Sequence, residues 1–516
     1  MREKMPHLLA MACVLLLAVA LHGLPARAET VATAQGSVGG ATEGGVQVFK
    51  GIPYAAPPVG PLRWKPPAAP ASWNGERKAD TYGAACIQPP GLSAANGGET
   101  GPASEDCLFL NIWTSRTGRS AKLPVIVWIH GGGYVFGSGS LAVYNGAPLA
   151  SRGAVVVTLN YRLGQLGFFA HPALEKEAPG GPVNFGLLDQ IAALKWVRAN
   201  IAAFGGDPGN VTIMGQSAGA KSVLALFASP LARGLFHKGV AASSYAVADM
   251  TRAKAVEIGA KVADALGLKG VSASAADLRA VPASAFLTLK GQGLSTSPLP
   301  VAGDMVLPQP IERVFAAGRE AALPLILGNT SDDASVAVAF GIDPAALLRK
   351  MKGAGLALRL VYPGVTDNAE LARLVVRDAI FTLPVRWIAD RHAKRATTWR
   401  YYFDYVATAR RPGLPNGVPH GLEVPFLLDT GDLADGVRGT FTDADRAIAR
   451  QVSNLVFAFA RNGRPASETQ WPSHRALHDR TLVIGETIAA RSNFMRPRLA
   501  AFIGFAKVLQ VVTARK

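Results

Sequence analysis

Val211-Thr212-Ile213-Met214-Gly215-Gln216-Ser217-Ala218-Gly219-Ala220 decides how the chain is read. Four strand-forming residues run into Gly-x-Ser-x-Gly, and small and apolar residues at helical spacing follow, to Leu224-Ala225-Leu226. Strand, sharp turn and helix in this order expose a serine hydroxyl at the top of a sheet, on a backbone too tight for ordinary side chains beside it. The pentapeptide alone is a weak signal. A serine is a poor nucleophile without a base, so the reading requires a histidine and a carboxylate elsewhere.

Upstream, Leu123-Pro124-Val125-Ile126-Val127-Trp128-Ile129 and Ala154-Val155-Val156-Val157-Thr158-Leu159 are nearly continuous apolar runs, as expected of strands covered on both faces. The first ends in His130-Gly131-Gly132-Gly133-Tyr134, where backbone N–H groups can approach a ligand unhindered, the mechanical requirement of an oxyanion hole. For His130 the spacing favours orienting that loop over moving a proton. Leu187 to Ala199 has amphipathic helical spacing. Downstream, Ala322 to Gly328 reads as a buried strand delivering Asn329-Thr330-Ser331-Asp332-Asp333 at its C-terminal end, the edge where open α/β sheets collect functional groups. Asn368 to Ile388 and Ala447 to Asn462 read as helices, Trp399 to Tyr405 and Thr481 to Ile484 as strands, and the stretch from Arg496 onward as a helix with a basic end. The alternation implies a mainly parallel sheet with helices on both faces.

Among nine histidines, His420 stands out. It lies in a Gly- and Pro-bounded loop after a strand. His171, His237, His392, His474 and His478 lack such a setting and are expected at the surface. Ser217, then a carboxylate from Asp332-Asp333, then His420 is the chain order of α/β-hydrolase triads.

The totals are compatible with this. The 516 residues are 49% hydrophobic and 17% charged, enough for a large core. No linker or repeat divides them, so residues 29–516 are expected to form a single domain. The formal charge of +17 is scattered rather than clustered with aromatics, which argues for a solvated basic surface and against nucleic-acid binding. Mean hydropathy is +0.20, yet no apolar run beyond the N-terminus approaches the ~18 residues of a membrane span. Arg2 and Lys4, the apolar run Leu8 to Leu21 and the small-x-small triplet Ala26-Arg27-Ala28 read as a leader, residues 1–28, removed after Ala28. Its loss takes three positive residues and one negative, leaving +15. A periplasmic or secreted location is then expected, with no stable membrane span. Cys86 and Cys107 remain, and an even count in an exported chain favours one disulfide across a Gly-, Pro- and Ser-rich loop, worth about 3 kcal/mol.

Together these segments resemble the type-B carboxylesterase family of α/β-hydrolases. The carrying motifs are Phe49-Lys50-Gly51-Ile52-Pro53-Tyr54-Ala55, Glu105-Asp106-Cys107-Leu108-Phe109-Leu110-Asn111, His130-Gly131-Gly132-Gly133, Phe204-Gly205-Gly206-Asp207-Pro208 and Gly215-Gln216-Ser217-Ala218-Gly219, within a match from about Val31 to Trp471. The resemblance implies an α/β-hydrolase fold with helical insertions forming the substrate pocket. It implies Ser217 as nucleophile, His420 (in His-Gly-x-Glu, ending at Glu423) as base, and the N–H groups of Gly132, Gly133 and Ala218 as oxyanion donors. It also implies a Cys86–Cys107 disulfide, and ester hydrolysis through an acyl-enzyme without metal or cofactor. Small-molecule esters are the implied substrates. The family usually writes Asp-Glu-Gly where this chain has Asp332-Asp333-Ala334, which makes Asp333 the expected acid and Asp332 the runner-up. Aspartate is one methylene shorter than glutamate, so its loop must sit closer to His420. The disulfide loop lacks Trp, Tyr and Phe, unlike the cholinesterase branch, which argues against a choline ester. Lipase or amidase action on the same triad, or a non-catalytic binding role for the fold, are the competing readings. An acyl pocket or lid is expected from the 250–300 and 335–390 stretches.

Overall fold

The computed structural model describes residues 27–93, 98–245, 249–289, 299–339, 343–350 and 354–501. The expected leader, up to residue 26, and the end of the C-terminal basic stretch lie outside these residues. One 13-stranded sheet organises them. In chain order its strands are β1 (Arg27–Ala32), β2 (Ser37–Glu43), β3 (Val46–Pro53), β4 (Glu76–Lys78), β5 (Phe109–Thr114), β6 (Leu123–Ile129), β7 (Val155–Leu159), β8 (Gly206–Gln216), β9 (Lys238–Ala242), β10 (Leu325–Thr330), β11 (Thr398–Phe403), β12 (Thr481–Ile484) and β13 (Ile488–Arg491). In space they run β1-β2-β3-β5-β7-β6-β8-β9-β10-β11-β12-β13, with β4 beside β2. From β7 to β12 every neighbouring pair is parallel, and the two ends are antiparallel. This is the α/β-hydrolase fold.

The continuous apolar strands are explained by the two cores they separate. Along β6, Val125, Val127 and Ile129 enter one core while Ile126 and Trp128 enter the other. The two-residue period of a strand is intact, but both faces are buried, so both sets are apolar. Helices α1 (Phe185–Asn200) and α2 (Ala218–Ala228) cover the first face. Helix α5 (Asp443–Asn462) covers the second with Ile448, Val452, Val456 and Phe459. Between them in sequence come α3 (Ile311–Ala316) and α4 (Leu383–His392).

Two expectations need correction. Helix α1 buries the expected face, Leu187, Ile191, Leu194 and Val197, and leaves Lys195, Arg198 and Ala199 exposed on one stripe. Its Asp189 is fully enclosed and takes a bidentate ion pair from buried Arg162 at 2.7 and 2.8 Å, which satisfies a charge that burial would otherwise forbid. The segment Asn368 to Ile388 is not one helix: Asn368–Arg377 is followed by a π-helical turn, Asp378–Thr382, and then α4. And three of the histidines expected at the surface are buried. His392 sits between Glu320 Oε1 (2.9 Å) and the Leu323 carbonyl (2.8 Å), His474 Nε2 lies 2.8 Å from Asp390, and His171 caps a short helix through Ala173 N–H. His171 Nε2 also meets the Gly270 carbonyl at 3.0 Å, and these partners of His171, His392 and His474 across the fold are distant in sequence, so the local context could not reveal them.

Cys86 and Cys107 form a disulfide, with Cα atoms 4.9 Å apart. Among the described residues no helix is long and apolar enough to cross a membrane.

Candidate active site

The site is built at the C-terminal ends of the parallel strands. Ser217 stands between β8 and α2 with φ 58° and ψ −122°, a conformation an L residue adopts only under strain. Its N–H donates to the Ala242 carbonyl at the end of β9 (2.9 Å), and its carbonyl accepts from Lys221 N–H (2.9 Å), so both sides of the turn are fixed. The glycines supply clearance. A Cβ on Gly215 would sit 2.5 Å from the Gly219 backbone, and one on Gly219 would sit 2.0 Å from the Ile129 carbonyl oxygen. The strain is thus carried by the serine, and the flanking glycines let β6, β8 and α2 close on it.

The glycine loop after β6 lies against the same turn. A Cβ on Gly131 would approach Ser217 Cβ to 3.2 Å, and Gly132 and Gly133 have φ of +101° and +60°. His130 shapes this loop. Its ring stacks on Tyr161 with centroids 4.4 Å apart, and its Nδ1 donates to the Gly131 carbonyl (2.8 Å). The Tyr161 hydroxyl donates to the His130 carbonyl (2.9 Å). Burial pushes the His130 imidazole down to about 4, outweighing the Gly131 bond, so it is neutral at pH 7.

His420 and Asp333 meet from two loops. Asp333 follows β10 and is fully buried. Its Oδ1 lies 2.7 Å from His420 Nδ1, and its Oδ2 accepts from Thr330 N–H (2.8 Å). A carboxylate only accepts, so Nδ1 carries the proton and Nε2 presents a lone pair. Asp332 turns away, pairing with Arg373 at 3.0 Å. Three further bonds pin the loops together: Asp332 N–H to the Val418 carbonyl (2.9 Å), Val418 N–H to Ser331 Oγ (2.8 Å) and His420 N–H to Ser335 Oγ (2.9 Å). This close seam lets a one-methylene-shorter acid reach the ring without lengthening the bond.

The remaining ring nitrogen, Nε2, lies 3.2 Å from the side-chain nitrogen of Gln216, the residue before Ser217. Its lone pair accepts from that amide. Phe381, on the π-helical turn, packs 5.2 Å from the imidazole.

Sequence reasoning assigned no role to Gln216, Phe381, Ser243 or Glu423. Gln216 and Glu423 were inside quoted motifs; Phe381 and Ser243 carried no local signal. Ser243, another residue with positive φ (53°), donates from Oγ to Glu423 Oε1 at 2.8 Å. Glu423 Oε2 has no partner among the described residues. Burial, reinforced by Asp333 and opposed by His420, pushes the Glu423 carboxyl from 4.5 up to about 7. Between these values the unfolded chain has lost this proton while the folded one keeps it, so stability falls as pH rises. Glu423→Gln is therefore expected to gain stability relative to the parent as pH increases from 4.5 to about 7, and to level off above. Urea unfolding of both proteins across this range checks it; a pH-independent difference would contradict it.

A strained serine, a glycine loop and an aspartate-bound histidine thus stand together at the C-terminal edge of a parallel sheet on an α/β-hydrolase scaffold. The chain belongs to the carboxylesterase family, whose model matches residues 27–357 and 365–502. It is a carboxylic-ester hydrolase. It is 36% identical to the para-nitrobenzyl esterase of Bacillus subtilis (strain 168) over 486 residues, 90% of this chain and 96% of that one. It is 35% identical to the fumonisin B1 esterase of Sphingopyxis macrogoltabida over 465 residues, covering 85% and 83%. Among solved structures, a para-nitrobenzyl esterase superposes with TM-score 0.78 at 34% identity, covering 91% of this chain and 99% of that one. A Geobacillus stearothermophilus carboxylesterase superposes with TM-score 0.79 at 31% identity, covering 92% and 99%.

Proposed function

We propose that Ser217, His420 and Asp333 hydrolyse carboxylic esters of small molecules through an acyl-enzyme. The observation that carries this reading is the 2.7 Å bond from His420 Nδ1 to Asp333, made beside a strained Ser217. His420 Nε2 takes the Ser217 hydroxyl proton as Oγ attacks the ester carbonyl carbon. For this the Gln216 amide must yield the ring nitrogen to the serine. Asp333 holds the tautomer and stabilises the imidazolium that forms. The N–H groups of Gly132, Gly133 and Ala218 receive the oxyanion, each worth about 3 kcal/mol by comparison with measured donors. Ala218 opens α2, where helical N–H groups have no intrahelical partner. The tetrahedral intermediate collapses, the C–O bond to the alcohol breaks, and His420 returns the proton to the leaving oxygen. Water then repeats the sequence on the acyl-enzyme and releases the acid.

An activated phosphonate ester should label the protein one-to-one, with the mass added on the peptide bearing Ser217 and with loss of esterase activity in step. Labelling of another residue, or activity surviving full labelling, would overturn the reading. We further propose that residues 29–516 act as one domain, that the leader is removed after Ala28 and that the mature enzyme is periplasmic or secreted. The disulfide and the formal charge of the chain are compatible with that destination. β1 begins at Arg27, and its uninterrupted register with β2 begins at Thr30, beyond the proposed cut.

A further inference from the structure

The edge of the sheet opposite the triad gathers basic residues that are scattered in the sequence. In a parallel sheet every crossover returns the chain to the same edge, so the loops that enter the strands lie side by side. Arg233 stands before β9, Arg319 before β10, Lys394 and Arg395 before β11 and Arg475 before β12, and all five are exposed. The loop before β6 adds exposed Arg119 and Lys122. Among the described residues none of these seven is ion-paired.

The loops interlock, so their charges share one face. Arg233 Nη2 donates to the Arg319 carbonyl, and a Cβ on Gly318 would sit 3.0 Å from Arg395 Cδ. His474 N–H donates to the Thr398 carbonyl at 2.7 Å, which brings the Arg475 loop to the foot of β11. Gly118 N–H reaches the Ala203 carbonyl at 2.9 Å and joins the loop before β6 to the one before β8. The carboxylates of these loops do little to balance them. Glu320 is buried against His392 and Asp479 against Arg400. Half-buried Asp207 accepts from Gly209 N–H, and exposed Glu29 and Glu468 accept from Thr117 Oγ1 and Ser473 N–H.

The fold itself explains part of the pattern. Arg233, Arg319 and Arg395 follow α2, α3 and α4, and a helix C-terminus carries about half an elementary negative charge. Three full charges exceed what three helix ends require. At the catalytic edge the order of sign is reversed: the loops leaving β10, β11 and β12 open with Asp332, Asp333, Asp404 and Glu486.

We propose that the cationic edge is a docking surface for an anionic lipid bilayer, which holds the enzyme with its triad facing away from the membrane. A broad array of unpaired Arg and Lys side chains gains from each anionic headgroup it meets. Leu477, in the loop of Arg475, is 77% exposed and supplies an apolar contact for the headgroup region. Single-stranded nucleic acid would call for exposed aromatics to stack its bases, and the one Phe, Tyr or Trp in these five loops, Phe236, is buried. The surface owes nothing to the assignment of Ser217.

The test is co-sedimentation of the purified protein with phosphatidylcholine vesicles that contain or lack phosphatidylglycerol. Binding should require phosphatidylglycerol and should vanish at high salt, where surface charges are screened. Replacing Arg233, Arg319, Lys394 and Arg395 together by Gln should weaken it by about fivefold per residue, a hundredfold or more in all. The same change at four exposed lysines on segments that leave the sheet after β7 and β9, Lys176, Lys254, Lys261 and Lys269, should cost less than about tenfold. Both variants should keep parental turnover of a water-soluble ester in solution and parental thermal unfolding, because neither touches the catalytic edge. Vesicle-bound parent should hydrolyse that ester as fast as free parent. Equal binding without phosphatidylglycerol, or equal losses from the two variants, would overturn the docking surface. Tighter binding to duplex DNA than to the vesicles at the same salt, lost in the first variant, would replace lipid by nucleic acid. Turnover abolished on binding would place the triad against the bilayer and overturn the orientation.

Discussion

Ser217→Ala is expected to lower kcat for an activated ester by about 10⁶-fold, the loss seen when a serine-hydrolase nucleophile is removed from its triad. The residual rate should come from the glycine loop and binding alone, without an acyl-enzyme. The variant should fold. Alanine at φ 58° is strained much as serine is, and the turn is held by backbone bonds from Ser217 N–H to Ala242 and from Lys221 N–H to Ser217, which alanine preserves. Thermal unfolding beside single-turnover kinetics separates loss of chemistry from loss of fold. A folded variant that retains even one-hundredth of parental kcat would sink the triad reading.

Asp333→Asn should cost about 10⁴-fold in kcat, the loss measured when a triad aspartate becomes an asparagine. The argument is one of tautomers. His420 Nδ1–H now donates to a carboxylate at 2.7 Å. An asparagine amide can donate to Nδ1, which moves the ring proton to Nε2 and leaves no lone pair for the serine. The packing should survive, because the seam between the two loops is made by Ser331, Ser335 and the backbone of Asp332 and Val418. Asp332→Asn is the internal control. Its carboxylate pairs with Arg373 rather than the histidine, so kcat should fall far less than in Asp333→Asn. If Asp332→Asn proved the more damaging of the two, the acid would be misassigned.

Several features of the fold were legible because burial on both faces writes itself into composition. β6, β7 and the Val211–Met214 part of β8 have no exposed face to interrupt them, and the glycines after β6 and around Ser217 are demanded by close backbone approach. β9 was not legible. Lys238-Gly239-Val240-Ala241-Ala242 has few β-branched residues, yet it is the strand that fixes Ser217. Small residues are required there: a Cβ on Gly239 would lie 2.5 Å from the Phe227 ring. The start of α5 was placed four residues late because its cap, Thr442 with Asp445 three positions on, uses aspartate instead of the glutamate or glutamine of the usual box. The buried histidines were misplaced for a different reason. What allows an imidazole inside is a partner, and Glu320 lies 72 residues from His392, Asp390 84 from His474.

By itself the sequence determined the scaffold, the nucleophile's turn, the glycine loop and the candidate base, because each rests on a local pattern of small or apolar residues whose steric reason is local. From the family's motif it named Asp333, with Asp332 as the runner-up. Only the tertiary structure brought the Asp333 carboxylate to the ring of His420 and turned Asp332 to Arg373, set Gln216 against the other ring nitrogen and buried Glu423 beside them. These depend on how two loops are pinned side by side and on which helices meet, and such distances are set by the packing of segments far apart in the chain.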